Sequence, residues 1–470
     1  MPYLKRPRPK ARTQSKHTAA KRRLCVIASL VAVLCVLNAL ASWMFIPYGS
    51  RAGLVWSDYS ELTSLNTVTV GPYAQNSVNP RVLDAALESE SFNLGTPSQS
   101  LNNAYQALQK AIEDWHIERA IVCIEYDSLF EKPVAQEDIS FIAHKQEREP
   151  FDQAVRDQAS LMFSDFFVSH HYSLSCIFPW AYNHVPFTFE DVSANIENRL
   201  EGNVHAAARN YASRIHDVPW TYDNTGFVGL TNELSGECTH GFDYAPHKDD
   251  EVSGDTLHTL MRICGLCVQN GVRLYVAVPP ISASSVVNNG TSYLQRMSSV
   301  QELLEKWGCT FFDLNLVKPS LLEFNGDELS DLNHLTATAA DEVSTALAEL
   351  IRKAEAGEDV YDSLFRYDED GWNEYLSSIK YVDSVDFDAK RYDGNVYVEA
   401  KPLTGTQNTV MYQLETRTSK EGRWEVVRAW DLSPTFELDL ADAKTLEFRI
   451  SAKSLQCADT IRSVTGLATQ

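Results

Sequence analysis

Short apolar runs recur along the first three quarters of the chain, and segments with helical spacing lie between them. The runs are Thr67-Val68-Thr69-Val70 before Gly71, Phe92-Asn93-Leu94-Gly95, residues 119–126 (RAIVCIEY), residues 272–278 before Pro279-Pro280, and residues 309–313 (CTFFD). Residues 119–126 and 272–278 are continuous apolar runs rather than alternating ones, the pattern of strands covered on both faces. Between them, residues 98–115 place Leu101, Tyr105, Leu108 and Ile112 on one helical stripe. Residues 256–270 form a second amphipathic stretch ended by Gly271, residues 298–307 a third, and residues 337–354 a fourth. Strand alternating with helix predicts an α/β domain built on a parallel sheet over residues 65–352.

Two stretches break this rhythm. Residues 131–255 are rich in aromatics and His, carry short helical patterns and show no regular strand spacing, so they predict a helical insertion in the α/β domain. After an acidic boundary at 357–370 the period changes to two: residues 382–387, 395–400, 409–415, 424–428 and 445–450 alternate apolar and polar between turns such as Asp393-Gly394 and Glu421-Gly422. This predicts an antiparallel β-sandwich over 371–470. Residues 48–64 read as a connector.

Residues 24–46 run LCVIASLVAVLCVLNALASWMFI without a charge, about the length needed to cross a bilayer as a helix. The tail before it, 1–23, carries nine Lys or Arg and no acid, which orients that end to the cytoplasm; Trp43 and Tyr48 suit the far interface. Ala39-Leu40-Ala41 has the form of a signal-peptide cleavage site, but the apolar run continues beyond it through Ile46, which favours a retained single-pass anchor. Either way the rest of the chain is expected outside the cytoplasm.

The formal charge is −22, and residues 24–470 hold 32 basic against 63 acidic side chains. A surface of that sign does not neutralise phosphates, so a nucleic-acid partner is not expected. The nine cysteines show no framework pattern. Cys264-Gly265-Leu266-Cys267 is a lone C-x-x-C inside a helical pattern and reads as core packing rather than a redox or metal pair. His170-His171, and the group His240, His247, Asp249, Asp250 and Glu251, read as surface or packing positions. No metal site and no cofactor is expected.

The chemistry points to Ser330-Asp331-Leu332-Asn333-His334-Leu335. A carboxylate three positions before an imidazole, in a loop entering a helix, can orient that imidazole as a general base; the alternative is a hydrogen-bonding pair that caps the helix.

In order, the strand before Gly71, the segment Phe92-Asn93-Leu94-Gly95-Thr96-Pro97-Ser98-Gln99-Ser100 and Asp331-x-x-His334 before the last helix resemble the SGNH/GDSL hydrolase superfamily. The nearest branch is the membrane-anchored one that includes alginate O-acetylation and teichoic acid D-alanyl transfer proteins. The resemblance implies a three-layer α/β fold and acyl transfer at a cell-envelope polymer. It further implies His334 as base, Asp331 as its orienter and the Gly95 N–H as an oxyanion donor. Where that family has Gly-x-Ser, this chain has Gly71-Pro72-Tyr73. Tyr73 stands at the nucleophile position, with Ser77 and Ser98 as the neighbouring hydroxyls. Three readings stay open: an enzyme acting on O-acyl groups of a cell-surface glycan or acylated polymer, a binding module for such a polymer, and a scaffold subunit beside a membrane acyltransferase.

Overall fold

The computed structural model describes residues 11–130, 136–150, 153, 156, 178–215, 220–231, 237–239, 250–324, 327–331, 333–392, 395–406, 408–419, 422–439 and 445–469. Its centre is a five-stranded parallel sheet of β1 (Thr67–Val70), β2 (Ser91–Asn93), β3 (Arg119–Cys123), β4 (Arg273–Val278) and β5 (Thr310–Asp313), in the order β2-β1-β3-β4-β5. Successive residues of a strand point to opposite faces, and each face has its own core. Val68, Val70, Ala120, Val122, Leu274, Val276 and Phe311 pack with the helices Leu101–Asp114, Gly254–Asn270 and Thr291–Lys306. Ile121, Cys123, Tyr275, Ala277 and Phe312 pack with the helix Ala337–Glu355. The continuous apolar runs are thus accounted for: both faces are buried.

The edges of this sheet are managed. On β5, the Phe311 and Asp313 N–H groups donate to the hydroxyls of Tyr361 and Tyr367. On β2, the Asn93 N–H donates to the Thr225 carbonyl at 2.8 Å. Edge groups that would otherwise template another strand are covered.

Within residues 131–255, helices run at Gln136–Gln146, Phe189–Glu201 and Val204–Ile215. A hairpin of Trp220–Tyr222 and Val228–Leu230 and a strand Glu237–Thr239 also occur there, which the periodicity did not announce. Its strands are three residues long, too short for a period of two to be read. His170, His171, His240, His247 and Asp249 lie outside the described residues; Asp250 and Glu251 are exposed. The connector at 48–64 contains the helix Arg51–Tyr59, capped by Ser50 and buried through Leu54, Val55 and Trp56. The boundary at 357–370 leads directly into a helix, Glu369–Ser378.

The C-terminal part is two sheets: β6 (Val382–Tyr392), β7 (Asn395–Thr404) and β10 (Thr435–Asp439) in one, and β8 (Val410–Arg417), β9 (Glu425–Asp431), β11 (Thr445–Ser454) and β12 (Ile461–Thr469) in the other. Strands within each pair antiparallel, and a common core of residues such as Phe387, Val398, Phe448 and Ile450 lies between the sheets. The Glu237–Thr239 strand joins the second sheet in parallel with β12.

Residues 24–45 belong to a helix, Ala11–Phe45, that exposes Leu24, Val26, Leu30 and Val36 by 59–69%. Among the described residues, no helix is long and apolar enough to cross a membrane. The end of this helix is fixed to the body of the chain. Asn195 Nδ2 donates to the Met44 and Ile46 carbonyls, an Arg199 guanidinium nitrogen donates to Ile46 O, and Trp180 Nε1 donates to Asn38 Oδ1. These contacts satisfy carbonyls that a helix end leaves open.

Candidate functional site

The loop that follows β1 is shaped by its neighbours. Gly71 has φ +111°, and a Cβ there would lie 2.0 Å from the Cys123 carbonyl oxygen, so only glycine lets the chain leave the sheet this close to β3. Its N–H donates to Gln99 Oε1 at 2.7 Å, and Gln99 Nε2 donates to Leu94 O at 2.9 Å. Asn93 Nδ2 donates to the Ala74 and Val78 carbonyls. Two amide side chains from the 93–99 segment therefore hold the loop after β1 in one conformation. Their importance as staples is invisible in the sequence, where both look like ordinary loop polar residues.

That conformation puts Tyr73 in the left-handed region, φ 59°, uncommon for a residue with a bulky side chain. Its ring meets the His334 ring edge to face, with centroids 4.6 Å apart. The Glu125 carboxylate lies beside the Tyr73 hydroxyl. Burial first, and then the charge of Glu125, push the phenol far above its ordinary value. It stays protonated at physiological pH and is a weak nucleophile.

His334 and Asp331 form a tight pair. His334 Nδ1 lies 2.7 Å from Asp331 Oδ2 and 2.9 Å from Oδ1, so Nδ1 donates to the carboxylate. Asp331 Oδ1 also accepts from the Asn333 and His334 backbone N–H groups at 2.9 Å. Burial alone would raise this carboxyl; the hydrogen bond and charge of His334 outweigh it and hold the group below its usual range. The helix cap is a different residue: Thr336 Oγ1 accepts from Ala339 N at the start of Ala337–Glu355. Asp331 thus organises the imidazole and not the helix end. The pair is open to solvent, with side-chain exposures of 29% for His334 and 49% for Asp331.

Among the described residues, the His334 ring hydrogen-bonds only to Asp331. Ser77 is buried with no hydrogen-bond partner for its hydroxyl, and Ser98 is exposed with φ 52°. Among the described residues, no serine hydroxyl bonds to the imidazole. The Gly95 N–H donates to Asn93 Oδ1 at 2.9 Å, so in this arrangement it is committed to its own loop and offers no hydrogen to an oxyanion. Glu125, whose charge faces the Tyr73 phenol, has no distinguishing pattern in the sequence, being one carboxylate at a strand end.

Cys264 and Cys267 lie in the core on the buried face of their helix. Among the described residues, no cluster of His, Cys, Asp or Glu could hold a metal ion.

No family model matches the chain, and no curated protein does. Solved structures offer an engineered protein at 11% identity and TM-score 0.16, covering 90% of this chain and 97% of that one. Another is β-glucosidase 3B from Thermotoga neapolitana with bound α-D-glucose, at 11% identity and TM-score 0.13, covering 86% of this chain and 74% of that one. Likenesses this weak carry no argument about fold or function.

Proposed function

We propose that this chain is a membrane-anchored, extracytoplasmic SGNH-like protein whose cleft at His334 binds O-acyl groups of a cell-envelope polymer without hydrolysing them. The observation that carries the reading is Tyr73 packed edge to face on His334, where an acyl-transfer site needs a serine hydroxyl. Support for the ancestry comes from the parallel sheet, the loop after β1 facing the loop before the helix Ala337–Glu355, and the Asp331–His334 geometry. Support for the anchor comes from the exposed apolar side chains of the Ala11–Phe45 helix and its fixed end.

The test is p-nitrophenyl acetate turnover by the full chain, together with retention on an O-acetylated polysaccharide. The unmodified protein should bind the polymer and show no turnover that depends on His334. Tyr73→Ser removes the ring and supplies a hydroxyl beside an oriented base. It should gain esterase activity at least about tenfold over background, lost again on adding His334→Ala. Turnover by the unmodified protein that His334→Ala abolishes would overturn the binding reading.

A further inference from the structure

A cavity of about 370 Å³ lies where the α/β unit, the helix Glu369–Ser378 and the C-terminal sheets meet. Its floor comes from the loops after β4 and β5, through Ile281, Leu314 and Val317, and its far wall includes Cys457. Three donor side chains line it. Arg366 is 3% exposed at its side chain; its Nε lies 3.3 Å from Glu374 Oε1, and its two terminal amino groups have no acceptor among the described residues. Tyr375 and Tyr381 are 8% and 4% exposed, and neither hydroxyl has a hydrogen-bond partner among the described residues. All three side chains line the same cavity, so their donor groups are available to an occupant.

We propose that this cavity binds a small organic carboxylate with an apolar body. The forked terminal nitrogens of a guanidinium match the two oxygens of a carboxylate, and the two phenols beside it on the cavity wall are further donors. The charge argues for a monoanion. Arg366 already shares its charge with Glu374. The Lys380 ammonium donates to the Ser377 carbonyl at 2.6 Å, and Glu323 is exposed at the rim. A phosphate dianion would meet too little positive charge. Ile281, Leu314 and Val317 then face the body of the ligand, and a cavity of this size lined by both apolar and polar side chains is that of a small-molecule site. Because its walls come from both units, an occupant bridges them. The site is separate from the His334 cleft and stands whether or not that cleft turns over an ester.

The experiment is calorimetric titration of the full chain in zwitterionic detergent with benzoate and hexanoate, with benzamide, hexanamide and inorganic phosphate as controls. At least one carboxylate should bind saturably and at least tenfold more tightly than its amide. Arg366→Gln should abolish that binding. Tyr381→Phe, which removes one hydroxyl and keeps the packing, should weaken it severalfold and serves if the Arg366 variant does not fold. Absence of binding by both carboxylates, equal binding of the amides, tighter binding of phosphate, or binding unchanged in the Tyr381 variant would each overturn the proposal.

Discussion

Asp313 ends β5 fully buried, and burial pushes its carboxyl up to about 6 against hydrogen bonds from Asn315 and Tyr293 that pull it down. Its Oδ2 has no hydrogen-bond partner among the described residues. In the unfolded chain the same group titrates near ~4. Between about pH 4 and 6 the folded state therefore holds the proton that the unfolded state has released, so this residue's contribution to stability falls as pH rises through that window and then levels off. A displacement of about two units corresponds to roughly 3 kcal/mol. Asp313→Asn keeps an acceptor for Tyr293 and Asn315 and abolishes the ionisation. Urea unfolding at pH 4, 5.5 and 7 should show a distinctly shallower loss of stability in the variant. Parallel pH profiles for the two proteins would remove Asp313 as a source of the dependence. At the same scale the candidate site divides sharply: the Asp331–His334 pair was legible because three-residue spacing in a loop brings the groups together almost regardless of context. The Tyr73–Glu125 contact was not, because it joins the ends of two different strands.

Among the elements, those buried on both faces or carrying a full helical stripe were readable, since their patterns follow from burial alone. Residues 98–115 contain the helix Leu101–Asp114, and Gly271, with φ 69°, ends the helix Gly254–Asn270 as expected. The helix Arg51–Tyr59 escaped because it is buried nearly all round and shows no polar face. β10 and β12 escaped because their turns carry weaker signals than Asp393-Gly394. The hairpin at 220–230 is a third case. It is explained only by its neighbour: Gly226, at φ +84°, lets the loop lie against β2, and a Cβ there would come within 2.0 Å of the Asn93 carbonyl oxygen. Gly202 has a similar φ of +70° but open space around it. Gly202→Ala should therefore cost only the left-handed backbone penalty of about 1–2 kcal/mol. Gly226→Ala should cost clearly more, because the hairpin must move off β2 and leave the Asn93 N–H without Thr225. Thermal unfolding of the two variants side by side checks this. Equal losses would mean that the close approach is not maintained in solution.

At the scale of the whole molecule, the two units are joined through a buried carboxylate rather than by a flexible linker. Asp383, in β6, accepts from the Ala283 and Ser284 backbone N–H groups at 3.1 and 2.9 Å, and these open a short helix of the α/β unit. Burial raises its pKa, while hydrogen bonds from the Ala283–Ser284 segment and the charge of Arg462 oppose that rise. Arg462 in turn reaches Asp327 of the α/β unit at 3.5 Å. Removing the Asp383 carboxylate leaves two buried N–H groups unpaired and takes a negative charge away from Arg462, a combined cost on the order of 2–5 kcal/mol. The loss falls on the contact between units and spares both cores, so cooperativity should suffer more than either core. The unmodified chain should unfold in one calorimetric transition, and Asp383→Ala should split it into two, with the lower-melting step assigned by limited proteolysis to one unit. Asp383→Asn, which retains an acceptor for one of the N–H groups, should fall between them. A single transition in Asp383→Ala, shifted down as a whole, would mean that the remaining contacts, including the Glu237–Thr239 strand paired to β12, suffice to keep the units one cooperative body.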